Sequence, residues 1–163
     1  MNELFLVCPF SKSEAMVREC INPNAFFLTS AAGVFRFKDP LYVESVVRFV
    51  EENTIGKLYV TASADCRFAR GIVRERRATE FYADQELFAI FSANRTEITQ
   101  LKSEEEQINR LLHLHLDKQK AQLSEMLASH GLKREVSKLV LSPQQLIQQP
   151  ERLAAAQKVS YGH

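Results

Sequence analysis

Cys8 and Cys66 are the residues of this chain best placed for chemistry. Cys8 follows the apolar run Leu4-Phe5-Leu6-Val7, and Cys66 ends the segment Ser63-Ala64-Asp65-Cys66 that follows Leu58-Tyr59-Val60-Thr61. Were those two runs neighbouring parallel strands, both thiols would converge at the carboxyl edge of the sheet, where α/β folds place their sites. Converging thiols suit a soft-metal site or a redox pair, and free cysteine also serves as a small buried apolar side chain. The residues alone leave all three readings open. A reversible disulfide needs Cα atoms no more than about 7 Å apart, and a permanent one is not expected in a reducing compartment. Cys20 falls inside a helical stretch and is expected in the core.

Arg67, Arg70, Arg74, Arg76 and Arg77, opposed only by Glu75, form the most basic stretch of the chain. The expectation is a solvated helix face paired with acidic neighbours, in which Arg67 and Arg70 are the candidates to bind a small anion near the thiols. No nucleic-acid motif accompanies them. His113 and His115 stand two apart in Leu-His-Leu-His-Leu, so on a helix they point to different faces and do not readily share one ion. A solvated or partner-facing role is expected for both. His130, just before Gly131, is placed to favour a helix C-terminus when charged.

Local patterns say which elements position these groups. Leu4 to Val7 reads as a first buried strand. Ser11 with Glu14 predicts a capped helix running to about Cys20, ended by Asn22-Pro23-Asn24. Ala25 to Thr29 is a second strand, followed by the small-residue turn Ser30-Ala31-Ala32-Gly33. Asp39-Pro40 caps a helix carrying Val43, Val46, Val47, Phe49 and Val50 to about Asn53. Gly56 is read as its stop, with a third strand over Lys57 to Ala62. A short helix follows Cys66, and another covers Asp84 to Ser92. Ser103 with Glu106 opens a long amphipathic helix that Gly131 stops. Val136 to Leu141 is a last strand, and Ser142-Pro143 opens a terminal helical segment. Strand–helix alternation over the first 65 residues predicts an α/β fold, with a central, mainly parallel sheet flanked by helices.

Composition excludes several classes. The 163 residues, 45% hydrophobic and 25% charged, suit a single domain spanning 1–163, in which about 142–163 form a C-terminal helical extension. A net charge of +1 provides no field to recruit nucleic acid or an anionic membrane. Three widely spaced cysteines are not a secreted disulfide framework. No signal peptide is read at the N-terminus, and no apolar run approaches the roughly 20 residues of a spanning helix. A cytoplasmic chain is expected.

The order of these landmarks resembles the β-class carbonic anhydrases. That family carries a Cys-x-Asp-x-Arg turn after its first strand, an Asn-Ala-Gly-Gly-like turn after its second and a His-x-x-Cys pair after its third. Here Cys8, Ala31-Ala32-Gly33 and Asp65-Cys66 hold the matching places, and Glu44-Ser45-Val46 resembles the family's Arg-Ser-Leu segment. The resemblance covers residues 3 to 73, with a small insertion near Arg36 to Asp39, and continues as a late helix followed by a final strand. It implies a β-carbonic-anhydrase-like fold and a homodimer, in which the segment after Ser142 covers a surface that an N-terminal arm covers in many members.

The resemblance also implies a degenerate site. Ser63 stands where the zinc histidine belongs, and a neutral hydroxyl is a poor zinc ligand. Phe10 replaces the aspartate that orients the metal-bound hydroxide, Lys12 replaces its arginine, and Arg67 replaces a glycine. Cys8, Ser63 and Cys66, with Asp65 as a substitute oxygen donor, would hold zinc weakly if at all. Three functions follow, in order of preference. The first is a carbonic-anhydrase-like protein without zinc-dependent CO2 hydration, needing no cofactor, binding a small anion or serving assembly. The second is an active zinc lyase using Cys8, Cys66 and a non-standard third ligand. The third is a thiol redox switch.

Overall fold

The computed structural model describes residues 1–142. Four strands form one sheet: β1 (Asn2–Val7), β2 (Phe26–Thr29), β3 (Ile55–Ser63) and β4 (Glu135–Leu141), in the order β2-β1-β3-β4. Every neighbouring pair is parallel. Leu6 of β1 lies between Leu28 of β2 and Val60 of β3, so β1 is central and the chain reverses its direction of travel across the sheet there. The two runs that precede the thiols are therefore neighbouring parallel strands. In open α/β sheets such a reversal opens a crevice beyond the carboxyl ends of the strands.

Burial on both faces explains why β1 reads as an unbroken apolar run: Leu4, Phe5, Leu6 and Val7 are each at most 1% exposed. Leu4 and Leu6 join the main core, built with α2 (Pro40–Glu52), α3 (Arg67–Glu75), α4 (Tyr82–Ala93) and α6 (Glu104–Ser129). Phe5 and Val7 face the opposite way, into a smaller cluster with Val17 of α1 (Ser13–Cys20), Ala25 and Leu141. Phe5 stacks there on Tyr59, with ring centroids 4.4 Å apart.

Two helix starts follow from short-range chemistry. Asp39 accepts a hydrogen bond from the Leu41 N–H at 3.1 Å, and Pro40 takes the first helical position, where no N–H is needed. Ser103 accepts from the Glu106 N–H at 3.1 Å while the Glu106 carboxylate accepts from the Ser103 N–H at 3.3 Å, closing a capping box. Ser103→Ala is expected to cost about 1 kcal/mol of stability, read as a lower urea midpoint with unchanged slope.

Several expectations are corrected. Ser11 forms no capping box with Glu14: its hydroxyl donates to the Cys8 carbonyl at 2.9 Å and accepts at 3.4 Å from the N–H of Ser13, where α1 begins, and Lys12 takes the cap position with no side-chain cap. Gly56 does not end α2 but lies inside β3; the chain turns earlier, at Thr54, which adopts φ +50°. A short helix, α5 (Arg95–Thr99), lies between α4 and α6 where none was expected. His115 is neither solvated nor partner-facing, being 1% exposed. Gly131 does follow α6 with φ +74°, and His130 Nδ1 lies 2.9 Å from the Met126 carbonyl. The expected helical extension over 142–163 lies outside the described residues, apart from Ser142. No described helix is long and apolar enough to cross a membrane.

Candidate functional site

The loops after β1 and β3 and the turn after β2 meet around a small cavity. Cys8, Phe10, Ala32, Ser63, Cys66 and Arg67 are among its lining, and its volume is about 20 Å³. That is room for roughly one water molecule. Parallel pairing of β1 with β3 is what brings the two thiols, far apart in sequence, to one place.

A tight turn supplies the donor that Cys8 uses. Ala32 and Gly33 both adopt left-handed backbone, at φ +56° and +66°, and the Ala32 N–H donates to Cys8 Sγ at 3.2 Å. Glycine is required at position 33, because a Cβ there would combine the positive φ with a 3.2 Å approach to the Thr61 carbonyl. The Thr61 hydroxyl, buried, donates to the Leu6 carbonyl at 2.8 Å and ties β3 to β1 beside the site.

Cys66 precedes the first turn of α3. Burial pushes its thiol up, the backbone groups of Ala69 and Phe68 partly offset this, and the nearby Cys8 and Asp84 add to the upward push. Cys66 is therefore a neutral thiol near pH 7. Ser63 is 8% exposed, and its hydroxyl accepts from the Asp65 N–H at 3.3 Å, holding the turn that leads to Cys66. Asp65 itself is exposed.

An aromatic stack borders the cavity. Phe10 is 59% exposed, and the Arg67 guanidinium lies 4.3 Å from its ring centroid and 5.2 Å from that of Phe68. The two rings meet edge-on at 5.8 Å. The arginine is thus held by ring faces rather than by a carboxylate. The sequence shows Phe10, Arg67 and Phe68 but not their meeting, which depends on two separate loops.

The remaining site candidates lie apart. Lys12 stands just ahead of α1 and is not among the cavity's lining. Arg70 lines a different groove, with Glu105 and Asn109, and Asp65 borders both spaces. Arg67 and Arg70 thus border two adjoining spaces that share Asp65. Arg74 of α3 pairs with Glu104 at 2.8 Å and Arg77, just past the helix, with Glu75 at 3.0 Å, as a solvated basic face does. Cys20 ends α1 half-buried.

The candidate donors around the cavity are two thiols, the Ser63 hydroxyl and the exposed Asp65 carboxylate, with no histidine in the lining. Among the described residues no group of three His, Cys, Asp or Glu side chains is placed to hold a metal ion. Catalytic zinc takes three protein ligands plus water.

Sequence reasoning placed His115 on a solvated or partner-facing surface and missed its burial. Its imidazole is buried at the middle of α6, and burial pushes its pKa down to about 4, which the nearby Gly33 and Ala32 backbone partly offsets. Its Nε2 makes no hydrogen bond of good geometry among the described residues.

No family model and no curated protein sequence matches the chain. Solved structures do match. The β-carbonic anhydrase CafD of Aspergillus fumigatus is similar at a TM-score of 0.71 and 15% identity, over 90% of this chain and 86% of that one. A tetrameric β-carbonic anhydrase of Sordaria macrospora gives 0.71 and 15%, over 89% and 77%. The Coccomyxa β-carbonic anhydrase in complex with acetazolamide gives 0.69 and 14%, over 89% and 69%. With its parallel four-stranded sheet and flanking helices, the chain has the fold of the β-carbonic anhydrases.

Proposed function

We propose that this chain is a carbonic-anhydrase-like protein that does not hydrate CO2 through zinc, and that its role is binding or assembly. The observation that carries this reading is the cavity's lining: Cys8, Cys66, a Ser63 hydroxyl accepting from the Asp65 N–H and an exposed Asp65, with no histidine. The Cys66 thiol, pushed up by burial, resists the proton loss that metal ligation demands. Phe10, where the resemblance places an orienting carboxylate, instead holds Arg67. The tetrameric Sordaria enzyme supports self-assembly of this fold, and a cytoplasmic homodimer fits the reading.

Elemental analysis of untagged protein and stopped-flow CO2 hydration with zinc supplied test the proposal together. Zinc well below one per chain and no rate above buffer are expected. Stoichiometric zinc with a measurable rate would overturn it in favour of a lyase using Asp65 or another third ligand.

A second reading, a thiol switch, rests on the two thiols bordering one cavity. With a hydroperoxide as oxidant, the two thiols lose two protons and two electrons, an S–S bond forms and the O–O bond breaks to water and an alcohol. Mass spectrometry after mild peroxide treatment checks it: a Cys8–Cys66 linked peptide supports the switch, and separate oxidation of the two thiols refutes it.

A further inference from the structure

A second cavity shares no lining residue with the thiol site. Its volume is about 280 Å³, and it lies between the Phe35–Asp39 segment, the start of α4 and the middle of α6. Ligand pockets begin near roughly 300 Å³, so the space suits a small molecule and not a chain. The Arg36–Asp39 stretch is also where the chain carries its insertion relative to the carbonic-anhydrase spacing.

Its charge is unbalanced in a specific way. Arg36, Lys38 and Lys118 line it, together with Asp39 and Glu86. Both carboxylates are engaged: Asp39 accepts from the Leu41 N–H at the start of α2, and Glu86 accepts from Lys118 Nζ at 3.4 Å. Arg36 and Lys38 form no ion pair among the described residues. The Arg36 guanidinium lies over the Tyr82 ring, 4.4 Å from its centroid. Stacking occupies the flat face and leaves the in-plane N–H edge for an acceptor.

Gln119 adds an oriented donor. It is only 4% exposed, and its Oε1 accepts from the Phe35 N–H at 3.2 Å. A backbone N–H can only donate, so the amide oxygen must face it and the NH2 group takes the other position. That NH2 group donates to no described residue, and Gln119 borders the cavity.

We propose that this cavity binds a small organic or inorganic oxyanion, its carboxylate or phosphate group held by Arg36, Lys38 and the Gln119 amide. The planar guanidinium edge and an amide donor match the acceptor oxygens that both anions present. The inference stands apart from the thiol-site reading, since neither cavity's residues enter the other.

Protein-observed NMR titration with inorganic phosphate and, separately, with succinate at constant ionic strength tests it. Saturable binding of at least one anion is expected, in the millimolar range typical of a few charge-assisted contacts, with shifts centred on Arg36, Lys38, Tyr82 and Gln119. The arm that saturates identifies the head group. Arg36→Gln is expected to weaken binding by about 10-fold or more, and Lys38→Gln to weaken it less; both residues are exposed, so the fold is retained. Arg48→Gln, on the exposed face of α2 and in neither cavity, is expected to leave binding unchanged. Saturation by neither anion, insensitivity to both Arg36→Gln and Lys38→Gln, or loss of binding in Arg48→Gln would each overturn the proposal.

Discussion

Acidification from pH 7 to pH 4 is expected to lower the unfolding free energy by roughly 3 kcal/mol through His115 alone, and His115→Leu is expected to remove that contribution. The imidazole is completely buried, so charging it in place is costly and its pKa falls to about 4. Of the charged neighbours on the packed elements, Lys118 on α6 pushes it further down and Glu86 on α4 opposes. In the unfolded chain the same group titrates near about 6.5. Between the two values the unfolded state carries the extra proton, so folding is favoured fully above about pH 6.5 and progressively less towards pH 4. Below the folded value no further loss arises from this group.

Leucine fills a comparable volume and leaves no unpaired nitrogen beside Gly33, where a Cβ would stand 3.8 Å from the imidazole Nε2. His115→Leu is thus expected to match or exceed the wild type by about 1 kcal/mol at pH 7. Urea unfolding of both proteins at pH 4, 5, 6 and 7 measures the difference, since other titrating groups act equally in each. Parallel stability profiles would show that His115 does not titrate with folding.

Ser63→His is expected to raise zinc affinity by at least about 100-fold, more than the 10- to 100-fold that outer-shell partners alone supply. The substitution converts two thiols into a Cys2His set at the carboxyl edge of β3. Space is the obstacle, because Ser63 is nearly buried beside a cavity of about 20 Å³. Phe10→Asp removes one ring of the stack that holds Arg67 and supplies a carboxylate, so the double variant is expected to gain both affinity and hydration rate. Binding should weaken as pH falls, because Cys8 and Cys66 must release protons to ligate. Competition against a chromophoric chelator gives the affinities, and wild-type protein binding zinc as tightly as Ser63→His would sink the argument about the missing donor.

Much of the scaffold was legible because its signals are local. Leu4 to Val7 and the β3 segment declare themselves by unbroken apolar runs, and Asp39-Pro40 and Ser103 with Glu106 mark helix starts by contacts within a few residues. The same signals misled where a longer-range partner competed. Ser11 with Glu14 resembles a capping box, but the Ser11 hydroxyl goes to the Cys8 carbonyl. Gly56 resembles a helix stop, but strand pairing takes it into β3 and leaves the turn to Thr54. Five residues of α5 carry too short a period to read.

By itself the sequence determined the order of the strands and of all but one short helix, and the two thiols at strand ends. Those features depend on residue identity and on spacings of a few residues. Only the tertiary structure decided that Phe10 and Phe68 hold Arg67 beside the thiol cavity, that His115 faces the core and that Arg36 meets Gln119 across a second cavity. Each of those joins residues from separate elements, and which faces meet is set by how whole helices pack on the sheet, a choice that no local period encodes.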